Sequence, residues 1–315
     1  MHPAPSLVLF TTAAGAGYGL LFLLGITAPF GLVPVERWFG IAALGLALGL
    51  ITLGLAASTY HLGHPERAWR ALSQWRSSWL SREGVAALAT YAVAAPFALG
   101  WVLWQTADGI WAVFALLTAA GAAATTACTG MIYASLKPIR QWHTPWVPAL
   151  FMAFALATGA IWLAAVTRLF GAAAGWVEWW AMGALAAAWA LKLGYWRAMR
   201  RVSSATTAET ATGLGHLGRV RALEAPHTED NYLLREMGYR IARKHARRLR
   251  RLAVFAGLLL PLALLALAIA TPGSGGTAGL VLAAVVAGIG TVIARWLFFA
   301  EATHTVALYY GLPGT

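Results

Sequence analysis

The chain alternates long apolar runs with short polar, often basic, interruptions. A helix rising about 1.5 Å per residue needs about 20 predominantly apolar residues to cross the hydrocarbon of a bilayer. Eight windows meet that length, near residues 6–29, 38–60, 84–105, 110–136, 146–167, 179–197, 252–271 and 277–300. The pattern predicts an all-α polytopic membrane protein of eight transmembrane helices. No cationic stretch with a small-residue cleavage site marks the first window as a signal peptide, so it reads as a retained span.

Composition sharpens this picture. Sixty per cent of the residues are hydrophobic and 11% charged, whereas a soluble domain carries about a quarter charged residues. Sixteen Trp and nine Tyr suit many bilayer crossings, because amphipathic rings favour the headgroup level. The formal charge of +12 could suggest nucleic acid, but the charges lie between spans. With eight spans, the second, fourth and sixth connections share a face with both termini. Those connections hold 20 of the 23 Lys and Arg when Lys192 is counted with its loop; Arg37 and Arg168 fall opposite, and Arg295 lies inside the last span. The asymmetry predicts that both termini and all three basic connections of a multi-pass protein are cytoplasmic. Nucleic acid is not an expected partner.

The sixth connection, about 198–250, is the one extramembrane element inserted into a single membrane-anchor domain spanning 1–315. Its first half is rich in Gly, Ser, Thr and Ala. Its second half, TEDNYLLREMGYRIARKHARRLRRL, has Leu233, Met237 and Ile241 at helical spacing and predicts a basic amphipathic helix running into span seven. Such a helix is either a polybasic anchor on anionic lipid or a docking surface for a cytoplasmic subunit.

Candidate chemistry is one-sided. All eight histidines fall on the predicted cytoplasmic face, so a pair of haems stacked across the bilayer would lack outer histidine ligands. Cys128, the single cysteine, permits neither an internal disulfide nor a cysteine-ligated cluster, and it reads as a small packing residue. The stretch STYHLGHPERAWRALSQW, residues 58–75, follows span two. His64 and Pro65 there suit the N-cap and first position of a short interfacial helix. Span three starts at Ser81-Arg82-Glu83, with Ser81 able to cap and Glu83 in the first turn, where the helix dipole favours a carboxylate. Taken singly, His61 could be an interfacial hydrogen-bonding residue and Glu83 a dipole partner. A chain that turns back at this point brings them side by side at one membrane depth. A histidine and a carboxyl so placed suit quinone chemistry, in which two electrons move with two protons. Arg67 borders the same stretch. Arg295, Glu301 and His304 form either a structural polar network or further lining of that site. His143, with Trp142 and Trp146, suits the interfacial belt or a partner contact. A transporter would show charged or unwound segments repeated between two halves of the chain, and no such repeat stands out.

HLGHPERAWRALSQWRSSWLSRE, together with MIYASLKPIRQWHTPWVP after span four and the aromatic-rich last span, resembles the DmsC family of membrane anchor subunits of the dimethyl sulfoxide reductase type. The resemblance implies an anchor with no catalytic residue, metal or haem of its own. Such anchors exchange electrons between quinone, whether menaquinone or ubiquinone, and an iron-sulfur subunit. That subunit in turn serves a catalytic partner that carries a molybdenum bis-pterin cofactor. The family's quinone-site histidine falls on His61 and its functional glutamate on Glu83. His64 lies outside the family core. The long basic sixth connection resembles the SoeC-type anchors of the sulfite-oxidising branch, whose partners lie on the cytoplasmic face, so sulfite oxidation coupled to quinone reduction is the expected activity of the complex. A quinol-oxidising anchor and a purely structural anchor are the alternatives. The quinone-binding residues expected are therefore His61, Glu83, His64, Arg67, Arg295 and His304.

Overall fold

A computed structural model describes residues 5–59, 62–172, 175–200, 207–221, 223–224, 240–271 and 273–302. The described residues form helices and turns without strands. Eight long helices follow one another among them: α1 (Pro5–Thr27), α2 (Arg37–Thr59), α3 (Trp79–Trp104), α4 (Ile110–Ala134), α5 (Trp146–Leu169), α6 (Gly175–Met199), α7 and α8 (Ser274–Ala300). The continuous helix α7 comprises Arg240–Val254, a π turn over Phe255–Leu259 and Leu260–Ala270. A 3-10 helix, Pro65–Gln74, lies between α2 and α3.

Seven of these helices are long and apolar enough to cross a membrane. The exception is α6, whose 25 residues suffice in length while Glu178, Lys192, Arg197 and five Trp lower its mean hydropathy. It begins before residue 179 and ends at Met199, so Lys192, counted with the sixth connection for charge, lies well inside the helix.

Helices α1 and α5 form the centre of the bundle and are its most buried long helices. Their backbones touch because glycines face each other: a Cβ on Gly19 would lie 1.7 Å from the Ala155 carbonyl oxygen, and one on Gly159 would lie 2.3 Å from the Gly19 carbonyl carbon. In lipid the tails are as apolar as leucine, so close van der Waals contact between small residues drives helix association. Around this pair α2, α4 and α8 pack on α1, α6 and α8 pack on α5, and α3 packs on α4. Gly257, inside the π turn, abuts Trp189, and a Cβ on Gly290 would lie 2.2 Å from the Gly257 Cα. This seats α7 between α6 and α8.

One end of the bundle is locked by ions. Arg168 donates from Nε (2.9 Å) and Nη2 (2.5 Å) to Glu178, and its guanidinium also reaches the carbonyls of Ala268 (3.2 Å) and Thr271 (3.4 Å). At the opposite end Arg250 Nε donates to Glu301 at 2.8 Å, joining α7 to α8. Helix α7 begins with RIARKHARRLRRL, so a basic helix does run into span seven from residue 240; the predicted positions Leu233 and Met237 lie outside the described residues. Trp142 departs from the belt expectation: it is buried, and its Nε1 donates to the Phe298 carbonyl at 3.0 Å. Cys128 is half-buried.

Candidate functional site

The 3-10 helix begins where the His64-Pro65 signal places it, with His64 at the N-cap and Pro65 fixing the first turn. Alternating Arg and Trp leave its aromatic rings and cations outward: the Arg70 guanidinium lies 5.5 Å from the Trp69 ring and that of Arg76 lies 5.1 Å from Trp75. The segment folds back onto the start of α3. Ser81 Oγ donates to the Ala71 carbonyl, and Arg82 donates to the carbonyls of Trp75 (3.0 Å) and Arg76 (2.7 Å). Leu72 covers Gly84, where a Cβ would sit 2.8 Å from its methyl group.

The cap of α3 is Ser78, whose side chain accepts from the Ser81 amide at 3.5 Å. Ser81 is therefore inside the helix, and Glu83 lies beyond the first turn. That register swings Glu83 into the bundle. Its side chain is buried at 4% exposure and accepts a hydrogen bond from Thr129 Oγ1 on α4. No ion pair involves Glu83 among the described residues. Thr129 also donates to the Thr125 carbonyl, and the Thr125 hydroxyl meets that of Thr90 on α3 at 3.2 Å. A carboxyl thus heads a file of hydroxyls along the α3–α4 seam.

The predicted residues separate into four groups. Glu83 is at the heart of the bundle's polar file. His64 and Arg67 are exposed on the 3-10 helix, with His64 Nδ1 3.0 Å and Arg67 Nε 3.7 Å from Glu66; their partner is this surface carboxylate and not Glu83. His61 and His304 lie outside the described residues. Arg295 is buried on α8, its guanidinium carbon 3.5 Å above the Phe151 ring centroid. Glu301 belongs to Arg250 and does not neutralise Arg295.

Sequence reading missed Lys192, Tyr18 and Thr129. Lys192 on α6 is buried and surrounded by rings, 4.9 Å from Tyr195, 5.1 Å from Trp196 and 5.9 Å from Phe298. The signal was present in LKLGYWRAM, where a Lys falls three and four residues before aromatic partners on the same helix face. Tyr18, Thr126, Thr129, Phe151 and Arg295 line one narrow cavity between α1, α4, α5 and α8. The hydroxyl of Tyr18 and the Nε of Arg295 are buried without a hydrogen-bond partner among the described residues. A second cavity, between α5, α6 and α8, is bounded by Lys192, Arg295, Phe151, Phe154 and Phe298. The two cavities share Phe151 and Arg295, so buried polar groups extend from Glu83 through Thr129 to Arg295 and Lys192.

The chain is 33% identical to a subunit of the sulfite dehydrogenase of Allochromatium vinosum, over 98% of this chain and 99% of that protein. No solved structure matches the chain. The family described as DMSO reductase anchor subunit (DmsC) matches residues 1–312, and the chain belongs to that family of membrane anchors.

Proposed function

We propose that this chain anchors a molybdenum and iron-sulfur oxidoreductase complex in the bacterial inner membrane. There it exchanges electrons between quinone and a partner iron-sulfur subunit, so that sulfite oxidation by the catalytic subunit is coupled to quinone reduction. The observation that carries the reading is Glu83. Burying a carboxyl among apolar helices is costly, and among the described residues a threonine hydroxyl is what meets it. The residue lies next to the start of α3, against which the 3-10 segment folds, so a proton has a short way to water. The resemblance of sequence around His61 and the similarity to the Allochromatium sulfite dehydrogenase protein support the same assignment.

In this reading α6 completes eight crossings, since 25 residues suffice to span the bilayer and its two internal charges face the bundle, where they are buried. Both termini then share the cytoplasmic face with the partner subunits. His61 and Glu83 move protons between cytoplasmic water and the quinone oxygens. His64 and Arg67, facing outward with Glu66, meet lipid headgroups or the partner. Purified complex carrying His61→Ala or Glu83→Gln should assemble with its partner subunits and lose quinone turnover. Wild-type turnover in both variants would overturn the site, and a chain that purifies without redox partners would overturn the function.

A further inference from the structure

We infer that the exposed cationic face of α7 binds an anionic phospholipid, its phosphate held by Arg247, Arg248 and Arg251 and its acyl chain lying along Leu252, Phe255 and Leu259. The inference goes beyond the quinone reading and stands without it.

The sequence RIARKHARRLRRLAV, residues Arg240–Val254, sorts its side chains onto two sides. Ala246, Leu249, Arg250 and Ala253 turn toward the bundle, where they are half-buried or buried, and Arg250 is committed to Glu301. Lys244, Arg247, Arg248 and Arg251 recur at spacings of three and four, which places them together on the other side of the helix. All four are exposed. None of them forms an ion pair among the described residues. Like charges at these spacings repel one another, so this face gains by meeting an anion.

The continuation of the rod identifies what carries that anion. Leu252 follows Arg248 by four residues and Phe255 follows Arg251 by four, so both continue the cationic side. Leu252, Phe255 and Leu259 are 44%, 55% and 54% exposed, and in a membrane-spanning helix an apolar side chain left open by the bundle meets lipid. The depth agrees. From Leu252 to its end at Ala270 the helix rises about 28 Å, against a hydrocarbon thickness of ~30 Å. Arg251 therefore stands at the hydrocarbon edge. Arg247 and Arg248 lie about 5–6 Å beyond it, inside the headgroup layer, and Lys244 lies at the outer rim of that layer.

Phosphate suits these cations because a guanidinium offers paired donors to two of its oxygens. An acidic protein surface would match the charge, but it could not follow this side of the rod down to Arg251 and Leu252, where hydrocarbon begins. A zwitterionic lipid would set its own cation among the arginines. An anionic phospholipid matches both halves of the face, phosphate above and acyl chain below.

The test places the assembled complex in nanodiscs of phosphatidylcholine with a minority of phosphatidylglycerol. A trace of either lipid carries a photoreactive diazirine in its acyl chain. Peptide mapping then gives the ratio of phosphatidylglycerol to phosphatidylcholine label at Leu252–Leu259, with the exposed Leu116 and Leu117 of α4 as the reference for bulk lipid. The ratio at α7 should exceed that at α4 by about fivefold or more, the partitioning that a single cation near an anionic surface supplies. Joint replacement by Arg247→Gln, Arg248→Gln and Arg251→Gln leaves the Arg250–Glu301 pair in place and should bring the two ratios together while the partner subunits stay bound. Equal ratios at α7 and α4 in the wild-type complex would overturn the inference. If the variant then also shed its partner subunits, the face would belong to an acidic protein surface instead. An excess at α7 that survives in the variant would overturn the role of the arginines.

Discussion

Replacing Gly19 by Ala tests the central packing of the bundle directly. The added Cβ would lie 1.7 Å from the Ala155 carbonyl oxygen and 2.4 Å from its carbonyl carbon. Ordinary van der Waals contact begins at about 3.4 Å, so α1 and α5 must part by roughly 1.7 Å at the crossing. The obstacle is backbone, which no side-chain rotation can clear. Gaps of about 0.5–1 Å already forfeit a quarter to a half of each dispersion contact, and the loss extends along both helices. The expected destabilisation is about 3 kcal/mol, the upper end for overpacking. Thermal unfolding of the purified complex in mild detergent measures it, with Gly45→Ala as the control, since a Cβ at Gly45 on α2 meets nothing within 4 Å. Gly19→Ala should melt several degrees below Gly45→Ala, which should match wild type. Because Tyr18 precedes Gly19 and lines the cavity beside Thr129, quinone turnover should fall as well. Equal melting of the two variants would refute the claim that direct backbone contact holds α1 against α5.

Thr129→Val removes the hydroxyl that Glu83 holds and should cut quinone turnover by about tenfold. Thr118→Val, which removes a buried hydroxyl bonded within its own helix, should leave turnover alone, and equal effects of the two would argue against a special role for Thr129. At the opposite end of the bundle Glu178→Gln leaves the Arg168 guanidinium without its carboxylate and should cost about 3 kcal/mol; joint replacement with Arg168→Met should recover part of the loss in the same unfolding assay. The basic face of α7 exposes Lys244, Arg247, Arg248 and Arg251. If it docks the partner subunits, Arg247→Glu with Arg248→Glu should lower their co-purification more at low salt than at high salt, and retention equal to wild type at every ionic strength would remove α7 from the docking surface.

The helices were legible because bilayer thickness turns apolar run length into a count of spans, and all eight windows coincide with long helices. What sequence could not supply was rotational register. Ser78 and Ser81 are both acceptable caps; Ser78 caps α3, so Glu83 lies past the first turn, buried beside Thr129. Lys192 was counted with the sixth connection for charge although window six contained it; it lies well inside α6, where the rings of Tyr195 and Trp196 shelter its ammonium. Trp142 looked interfacial for the same reason of composition, yet its stacking on Phe298, with centroids 5.4 Å apart, draws it inside. Arg295 was visible as an intramembrane charge, but its neighbours come from α5 and α6, far away in the chain.

The π turn in α7 carries a consequence for how this chain tolerates insertion and deletion. A π turn is one residue more than an α-helix needs for the same rise. Removing a residue from Phe255–Leu259 would leave a smoother helix, one that propensity alone would favour. It would also rotate everything on one side by about 100°, carrying Arg250 away from Glu301 or Gly257 away from Trp189 and Gly290. The extra residue therefore acts as a phase adjuster, letting the basic half and the membrane half of one rod each present the side that its own neighbours require. Length changes elsewhere in α7 should be tolerated only when they come in multiples that restore this phase.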